Sequence, residues 1–235
     1  MIFIIGIVFM LIGRFVSSKL KSKFEEYSQV GLANGMSGAE IAQKMLNDNG
    51  IYDVRITQVE GELTDHYNPA DKTVNLSSDV FHGRSVSAAA VAAHECGHAV
   101  QHATAYSALK LRSALVPAVN VATNVMGIVN TLLMVGFGYT IFRGGGGAFG
   151  QTILLVLVVA NLALTLFSVI TLPVEYDASN RALKWMETKN MVNSREHAFA
   201  EDALKWAART YLVAALAAIA NLLYYLTLFL NRRND

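Results

Sequence analysis

Residues 85–102 read SVSAAAVAAHECGHAVQH, and the interpretation of the whole chain starts from this stretch. It contains His94, Glu95 and His98 in the pattern H-E-x-x-H. Residues four apart lie about 40° apart around a helix axis, so both imidazoles can reach one metal ion. Glu95 is then placed to act as a base on water at that metal. The alternative is a buried, alanine-rich helix whose histidines are satisfied by hydrogen bonds; the flanking sequence favours the metal site.

The composition predicts a membrane protein without structural disulfides. Hydrophobic residues make up 53% of the 235 residues, charged residues 16%, and the mean hydropathy is +0.36. A soluble protein of this length is normally much less apolar. The net charge of +1 provides no basic field for nucleic acid. Cys96 is the single cysteine, so no intramolecular disulfide can form, and we expect it to pack in the core.

Four stretches are long and apolar enough to span a bilayer, which requires about 20 residues. We predict an N-terminal anchor at 1–18 and further transmembrane helices at 114–142, 151–173 and 211–231. The segments between them, 19–113 and 174–210, are predicted to carry the site together, within a single integrated domain. The alternative is buried core helices of a soluble protein, which stretches this long and uncharged disfavour.

Basic residues predict the orientation in the membrane. Lys19, Lys21 and Lys23 follow the first span, and further basic residues lie in segment 174–210, whereas the loop at 143–150 carries only Arg143. By the positive-inside rule, both larger polar segments face the cytoplasm. Two terminal arginines, at 232 and 233, then fall outside, which counts against this assignment. Because two predicted spans separate the two polar segments, both segments lie on the same side of the membrane in either orientation.

The polar segment before the H-E-x-x-H helix has recognisable local signals. The sequence SGAE at 37–40 is a capping box and predicts a helix to about Asn49. Alternation in 52–63 predicts a strand, and the turn residues 68–69 precede a second strand at 73–76. We therefore predict a small β-hairpin or sheet next to the metal helix. Its strand could hold an extended substrate by backbone pairing; alternatively, the hairpin only shields the helix.

A third metal ligand has to come from elsewhere in the chain. His102 continues the four-residue spacing, but three successive turns drift around the helix, so we expect a supporting or surface role for it. No Asp-Gly motif occurs in a span to supply an acidic ligand. Glu175 remains, in LPVEYDASNRAL at the end of the third span, after Pro173. The alternative for Glu175 is a carboxylate at a helix start that faces water.

Five segments carry a resemblance that covers most of the chain: SGAEIA, GELTDHYNP, TVNLSSDVFHGRSV, AAHECGHAVQ and PVEYDASNRAL. They resemble the bacterial YugP-like family of membrane neutral zinc metallopeptidases, gluzincins distantly similar to peptidases of the HtpX type. The resemblance implies a mainly α membrane protein with a zincin-like fold, about four transmembrane helices and a small sheet beside the H-E-x-x-H helix. It also implies one Zn²⁺ per chain, held by His94, His98 and Glu175, with Glu95 as the catalytic base.

The sequence departs from the HtpX-type pattern in one respect. That pattern has an aspartate four residues after the ligand glutamate, where this chain has Ser179, and Asp177 lies only two residues after Glu175. A side chain that orients a ligand histidine is expected near the metal. Asp177, Ser179 and Asp65 are all candidates for it.

The predicted function is that of a membrane-integral zinc endopeptidase, which hydrolyses peptides or membrane proteins at the cytoplasmic side of a bacterial cell membrane. The predicted partners are this substrate and the lipid bilayer, without nucleic acid, and no oligomeric state is indicated. The alternative is a non-proteolytic membrane scaffold or metal-binding protein, which would not need Glu95. A donor to the tetrahedral oxyanion is also expected; the candidates are His66, Tyr67, Tyr176, Arg181 and Tyr211.

Overall fold

The computed structural model describes residues 2–132 and 147–233. The seven helices of this part are α1 (Ile2–Ser28), α2 (Gly38–Asp48), α3 (Ser78–His82), α4 (Val86–Ala103), α5 (Ser107–Leu132), α6 (Gly147–Thr188) and α7 (Ser194–Arg233). Its strands are β1 (Arg55–Val59), β2 (His66–Asn68) and β3 (Thr73–Ser77). The end of the predicted second span and the start of the predicted glycine loop lie outside the described residues.

Four of these helices, α1, α5, α6 and α7, are long and apolar enough to cross a membrane. Large apolar side chains face outward along them: the exposed fraction is 82% for Phe3 and 63% for Ile128. The backbone N–H and C=O groups of a helix bond to each other, so the helix can present apolar side chains to lipid without exposing unpaired polar groups. The prediction of a mainly α membrane protein with about four spans is confirmed.

One compact unit, here called the apolar unit, consists of the described residues within 1–13, 111–171 and 212–235. Its buried cluster contains Val129, Leu154, Leu157 and Tyr225. The Thr165 hydroxyl donates to the carbonyl oxygen of Ala218 over 3.1 Å, which links α6 to α7. Packing and interhelical hydrogen bonds of this kind hold helices together where water is absent.

The second compact unit, here called the α/β unit, consists of residues 14–110 and 172–211. Its sheet has the order β1-β3-β2, with β3 at the centre. β2 and β3 are antiparallel and are joined by a turn at 69–72, which begins at Pro69 of the predicted turn, whereas β1 pairs with β3 in parallel. A third strand and a parallel pair were not predicted, because three residues are too few to show alternation.

Helix α2 starts at the predicted capping box. The Glu40 backbone N–H donates to Ser37 Oγ over 3.2 Å, and the Ser37 N–H donates to Glu40 Oε2 over 2.7 Å. These two bonds satisfy backbone groups that the helix itself leaves open. The helix ends at Asp48, within one residue of the prediction, and buries Ile41 and Leu46 in the core of the α/β unit.

Helices α4 and α6 are in close contact at Gly97, between the two histidines of the H-E-x-x-H motif. A Cβ atom built on Gly97 would lie 2.5 Å from the carbonyl oxygen of Ala178. Ala178 lies one turn after Glu175 on α6. The missing side chain therefore lets the backbone that carries Glu175 come next to the backbone that carries the histidines.

We expect Gly97→Ala to destabilise the protein, although alanine is the better helix former. The new methyl group would force the two backbones apart, which costs about 1–3 kcal/mol in a well-packed core, and would displace Glu175 from the histidines. Thermal unfolding in detergent and zinc content measure both effects. Gly127→Ala in α5 is the matched control, because nothing lies within 4 Å of its added Cβ. Equal stability and zinc content of the two variants would contradict the prediction.

Candidate metal centre and active site

Three side chains that can each offer one metal-ligand atom converge in the α/β unit. Helix α4 carries His94 and His98, and α6 carries Glu175. Glu175 Oε2 lies 3.4 Å from His94 Nε2 and 3.5 Å from His98 Nε2. The ligand atoms of all three residues lie within 4.8 Å of one another. Glu175 and His98 are 2% and 9% exposed, so this carboxylate and imidazole are held inside the protein.

The spacing of these atoms suits a zinc ion. Zinc bonds to imidazole nitrogen and carboxylate oxygen are about 2.0–2.2 Å long in tetrahedral sites, which separates neighbouring ligand atoms by about 3.3 Å. The two separations from Glu175 Oε2 are close to that value. Two histidines and one glutamate, with a fourth position left for water or substrate, are also a known donor set of catalytic zinc. The residues present therefore fit the metal.

Gln101 fixes the orientation and the tautomer of His98. The Gln101 amide nitrogen donates to the Val174 carbonyl oxygen over 2.7 Å and to Asp177 Oδ2 over 2.8 Å. Its oxygen must then face His98 Nδ1, which lies 3.0 Å away. An amide oxygen only accepts, so Nδ1 carries a proton and Nε2 is the nitrogen that would bind a metal beside Glu175.

Ser179 has the corresponding position beside His94. Its hydroxyl oxygen lies 3.1 Å from His94 Nδ1. Ser179 is buried and lies one turn after Glu175 on α6. The same helix thus supplies both the carboxylate and a side chain that orients the histidine opposite it.

Glu95 faces the same region and is fixed by the sheet. Its carboxylate is largely buried, and Oε2 accepts the backbone N–H of Tyr67 over 2.9 Å. Tyr67 lies on β2, an edge strand of the sheet, and this N–H points away from β3. The edge of the sheet therefore orients the carboxylate that the sequence identifies as a potential base.

Two shifted pKa values describe the electrostatics around this cluster. Burial would lower the pKa of His98, but hydrogen bonding to Glu175 and the negative charges of Glu95 and Glu175 raise it above the ordinary value. Burial raises the pKa of Asp65, against the hydrogen bonds that its carboxylate accepts from the backbone N–H and hydroxyl of Ser77. The region is thus rich in carboxylate groups and favours a cation.

A cavity of about 150 Å³ opens beside the cluster. Its lining includes His94, Glu95, Glu175 and Ser179. Potential ligands, potential base and open space for a reacting group are therefore brought together in one place. This is the arrangement expected of a hydrolytic metal site.

Comparison with known proteins agrees with this geometry. Residues 2–230 match the model of a family described as "Putative neutral zinc metallopeptidase". The chain is also 39% identical to "Putative membrane protease YugP" of Bacillus subtilis (strain 168) over 224 residues, which is 92% of this chain and 91% of the relative. The chain belongs to this metallopeptidase family. No solved structure is significantly similar to it.

Of the three candidates that could orient a histidine, one contacts a histidine directly and one is connected to a histidine through Gln101. Ser179 contacts His94 directly, and Asp177 reaches His98 through Gln101. Arg181 in turn donates to Asp177 Oδ2 over 2.6 Å. Asp65 instead binds Ser77 at the end of β3 and lines the cavity.

The candidate oxyanion donors are dispersed. The Tyr67 hydroxyl lies 2.7 Å from His102 Nδ1, which also gives His102 a partner outside the three-residue cluster. His66 Nδ1 lies 2.8 Å from the Thr64 carbonyl oxygen. Tyr176 is 42% exposed and does not line the cavity, whereas Tyr211 does.

Gln101 is the site residue that the sequence analysis did not identify. It is fully buried, which is unusual for a glutamine. Its position three residues after His98 is a signal that the sequence does contain, because residues i and i+3 share a helix face. Its hydrogen-bond partners on α6, Val174 and Asp177, are more than 70 residues away in the chain, and no local sequence pattern indicates these contacts.

We expect Gln101→Leu to weaken zinc binding by roughly 10- to 100-fold, as the loss of a side chain that orients a metal ligand typically does. Leucine has a similar size but cannot accept from His98 Nδ1 or donate to Val174. Zinc affinity, measured by competition with a chelating dye, tests this. Gln43→Leu, an exposed glutamine on α2, is the control. Unchanged affinity in Gln101→Leu would leave Gln101 a packing role only.

Proposed function

We propose that the protein is a membrane-integral zinc endopeptidase whose zinc is held by His94, His98 and Glu175. The observation that carries the proposal is the position of Glu95, whose carboxylate lines the same cavity as these three side chains. A site that only stored zinc would not need a carboxylate there in addition to its ligands. The family of neutral zinc metallopeptidases to which the chain belongs supports the same activity.

The chemistry follows from these positions. Bound zinc would supply a Lewis acid that polarises the scissile carbonyl and makes water more acidic. Glu95 accepts a proton from the attacking water and delivers it to the leaving amine. The N–H of Tyr67 keeps the carboxylate directed into the cavity during both transfers. Of the candidate oxyanion donors, Tyr211 is supported best, because its side chain lines this cavity.

The edge strand β2 supports an extended peptide as substrate. β2 lies at the edge of the three-stranded sheet, and its Tyr67 N–H reaches the carboxylate of Glu95. A substrate strand beside β2 would lie next to the catalytic groups, and because Glu95 already holds the Tyr67 N–H, it would pair with this edge through the Tyr67 carbonyl oxygen. Peptides and the loops or ends of membrane proteins can both adopt this conformation.

The proposal is tested by peptide hydrolysis with purified full-length protein in detergent, zinc-loaded, in the wild-type form and as Glu95→Gln. Hydrolysis by the wild type alone is the expected result. Hydrolysis at the same rate by both would contradict it. A wild type that binds zinc and cleaves no peptide in a broad library would favour the non-proteolytic scaffold.

We also propose that the site faces the cytoplasm of a bacterial cell. The basic residues that follow the apolar part of α1 support this orientation, as does the shortage of basic residues before α6. The polar segments 19–113 and 174–210 then share the cytoplasmic side.

We expect a cysteine at Lys189 to react with a membrane-impermeant maleimide only after cells are permeabilised. Lys189 is exposed and lies between α6 and α7. The background is Cys96→Ala, since Cys96 is fully buried and its side chain packs in the core. Ala148→Cys, exposed at the start of α6, is the matched control and should react in intact cells. Labelling of the cysteine at 189 in intact cells, with labelling of the cysteine at 148 only after permeabilisation, would show the opposite orientation.

A further inference from the structure

The lining of the cavity beside the metal cluster is of two chemical kinds. It includes the catalytic groups and the polar residues Asp65, Thr210 and Tyr211, together with a set of apolar side chains that is called the apolar end here: Leu20, Phe24, Leu63, Val91, Leu204 and Ala207. No lysine or arginine is among the lining residues. A negatively charged group entering the cavity would therefore lose water without gaining a lysine or arginine counter-ion, which is costly.

Two helices form the apolar end from regular stripes. Leu20 and Phe24 are four residues apart on α1. Leu204, Ala207 and Ala208 follow the spacing i, i+3, i+4 on α7, and therefore lie on one face. Small side chains in the middle of this stripe leave a hollow that a leucine in their place would fill.

The loop between β1 and β2 supplies the last wall. Leu63 has a φ of 57°, in the left-handed region that large side chains rarely adopt. It is nevertheless turned to the cavity with nearly half of its surface exposed. Such a backbone conformation tends to persist where a side chain is needed in one place.

We propose that this end of the cavity binds an apolar side chain of the substrate, of about the size of leucine or phenylalanine, next to the scissile bond. The inference rests on the proposed peptidase function and names its substrate class. Continuity with Glu95 and His94 identifies the occupant as part of the molecule being cleaved. The whole cavity, including the space beside the catalytic groups, measures about 150 Å³, and an apolar cavity of ~150 Å³ in another protein holds benzene.

The first test is binding, independent of turnover. N-acetyl hydroxamates of glycine, alanine, leucine, phenylalanine, lysine and glutamate would be titrated calorimetrically into zinc-loaded full-length protein in detergent. The leucine and phenylalanine compounds are expected to bind roughly tenfold or more tightly than the glycine compound. Equal affinities, a preference for lysine or glutamate, or no binding at all would overturn the proposal.

Variants show whether this cavity is responsible. Ala207→Leu is expected to remove the gain for leucine and phenylalanine while leaving the affinity for the glycine compound unchanged. Ala198→Leu, the same substitution at an exposed position of α7, should behave as wild type. Leu63→Asn is a second variant that should fold, because asparagine tolerates a positive φ; it should reduce the gain several-fold. If both cavity variants still bound the leucine and phenylalanine compounds more tightly than the glycine compound, the apolar side chain of the ligand would have to bind outside this cavity.

Cleavage-site sequencing of a peptide library separates this inference from the proposed function. Cleavage with a fixed leucine, phenylalanine or methionine beside the broken bond supports both. Cleavage without such a preference overturns the inference and leaves the peptidase function standing. Preferential hydroxamate binding without any cleavage overturns the peptidase function and leaves the apolar pocket standing.

Discussion

Glu95→Gln is expected to lower the rate of peptide hydrolysis by roughly 10²- to 10⁴-fold, the contribution that a positioned general base typically makes. Glutamine has the same shape as glutamate, and its carbonyl oxygen can still accept the N–H of Tyr67. What it lacks is the negative charge that allows a proton to be accepted. Because the fold and the three potential ligands are untouched, zinc content should remain that of the wild type.

The measurement compares initial rates and zinc content of the same preparations. Glu60→Gln is the matched control, since Glu60 is exposed in the loop after β1 and lines no part of the cavity. It should hydrolyse peptide as the wild type does. If Glu95→Gln retained full activity with zinc bound, another group would have to serve as the base. If it lost zinc as well, Glu95 would have a structural role.

Glu175→Gln is expected to reduce bound zinc from about one ion per chain to nearly none, and His94→Ala should do the same. The carboxylate lies 3.4–3.5 Å from both imidazole Nε2 atoms and is almost fully buried. A neutral amide is a much weaker ligand for zinc than a carboxylate, and two imidazoles four residues apart make an incomplete site. Activity should disappear together with the metal.

Metal analysis by mass spectrometry after gel filtration makes the comparison, with circular dichroism to confirm that each variant is helical. Glu187→Gln is the control on the same helix, at an exposed position. Zinc lost in His94→Ala but retained in Glu175→Gln would move the third ligand to another residue. His102 would be the first to examine, although its Nδ1 lies against the Tyr67 hydroxyl.

Local patterns made much of this protein predictable. Four-residue spacing placed His94 and His98 on one face, SGAE defined the start of α2, and long uncharged stretches indicated the spans. Each of these signals is contained within one element. The same holds for the turn that begins at Pro69 and joins β2 to β3.

What the sequence could not predict depends on contacts between distant segments. The parallel pairing of β1 with β3 has no local signature. Gln101 acquires its importance only through Val174 and Asp177 on another helix. In the same way, Phe24 and Ala207 are unremarkable helix residues until their helices are placed beside one cavity.

The arrangement of the candidate ligands along the chain has a consequence for how the protein is made. His94 and His98 precede α5, whereas Glu175 lies late in α6, and part of the apolar pocket comes from α7. A ribosome therefore releases two candidate ligands and the candidate base well before the third candidate ligand, and the pocket wall later still. In the proposed peptidase, the nascent chain would lack a complete site until its last helices had been made. Order of synthesis would then protect neighbouring proteins from a half-made enzyme.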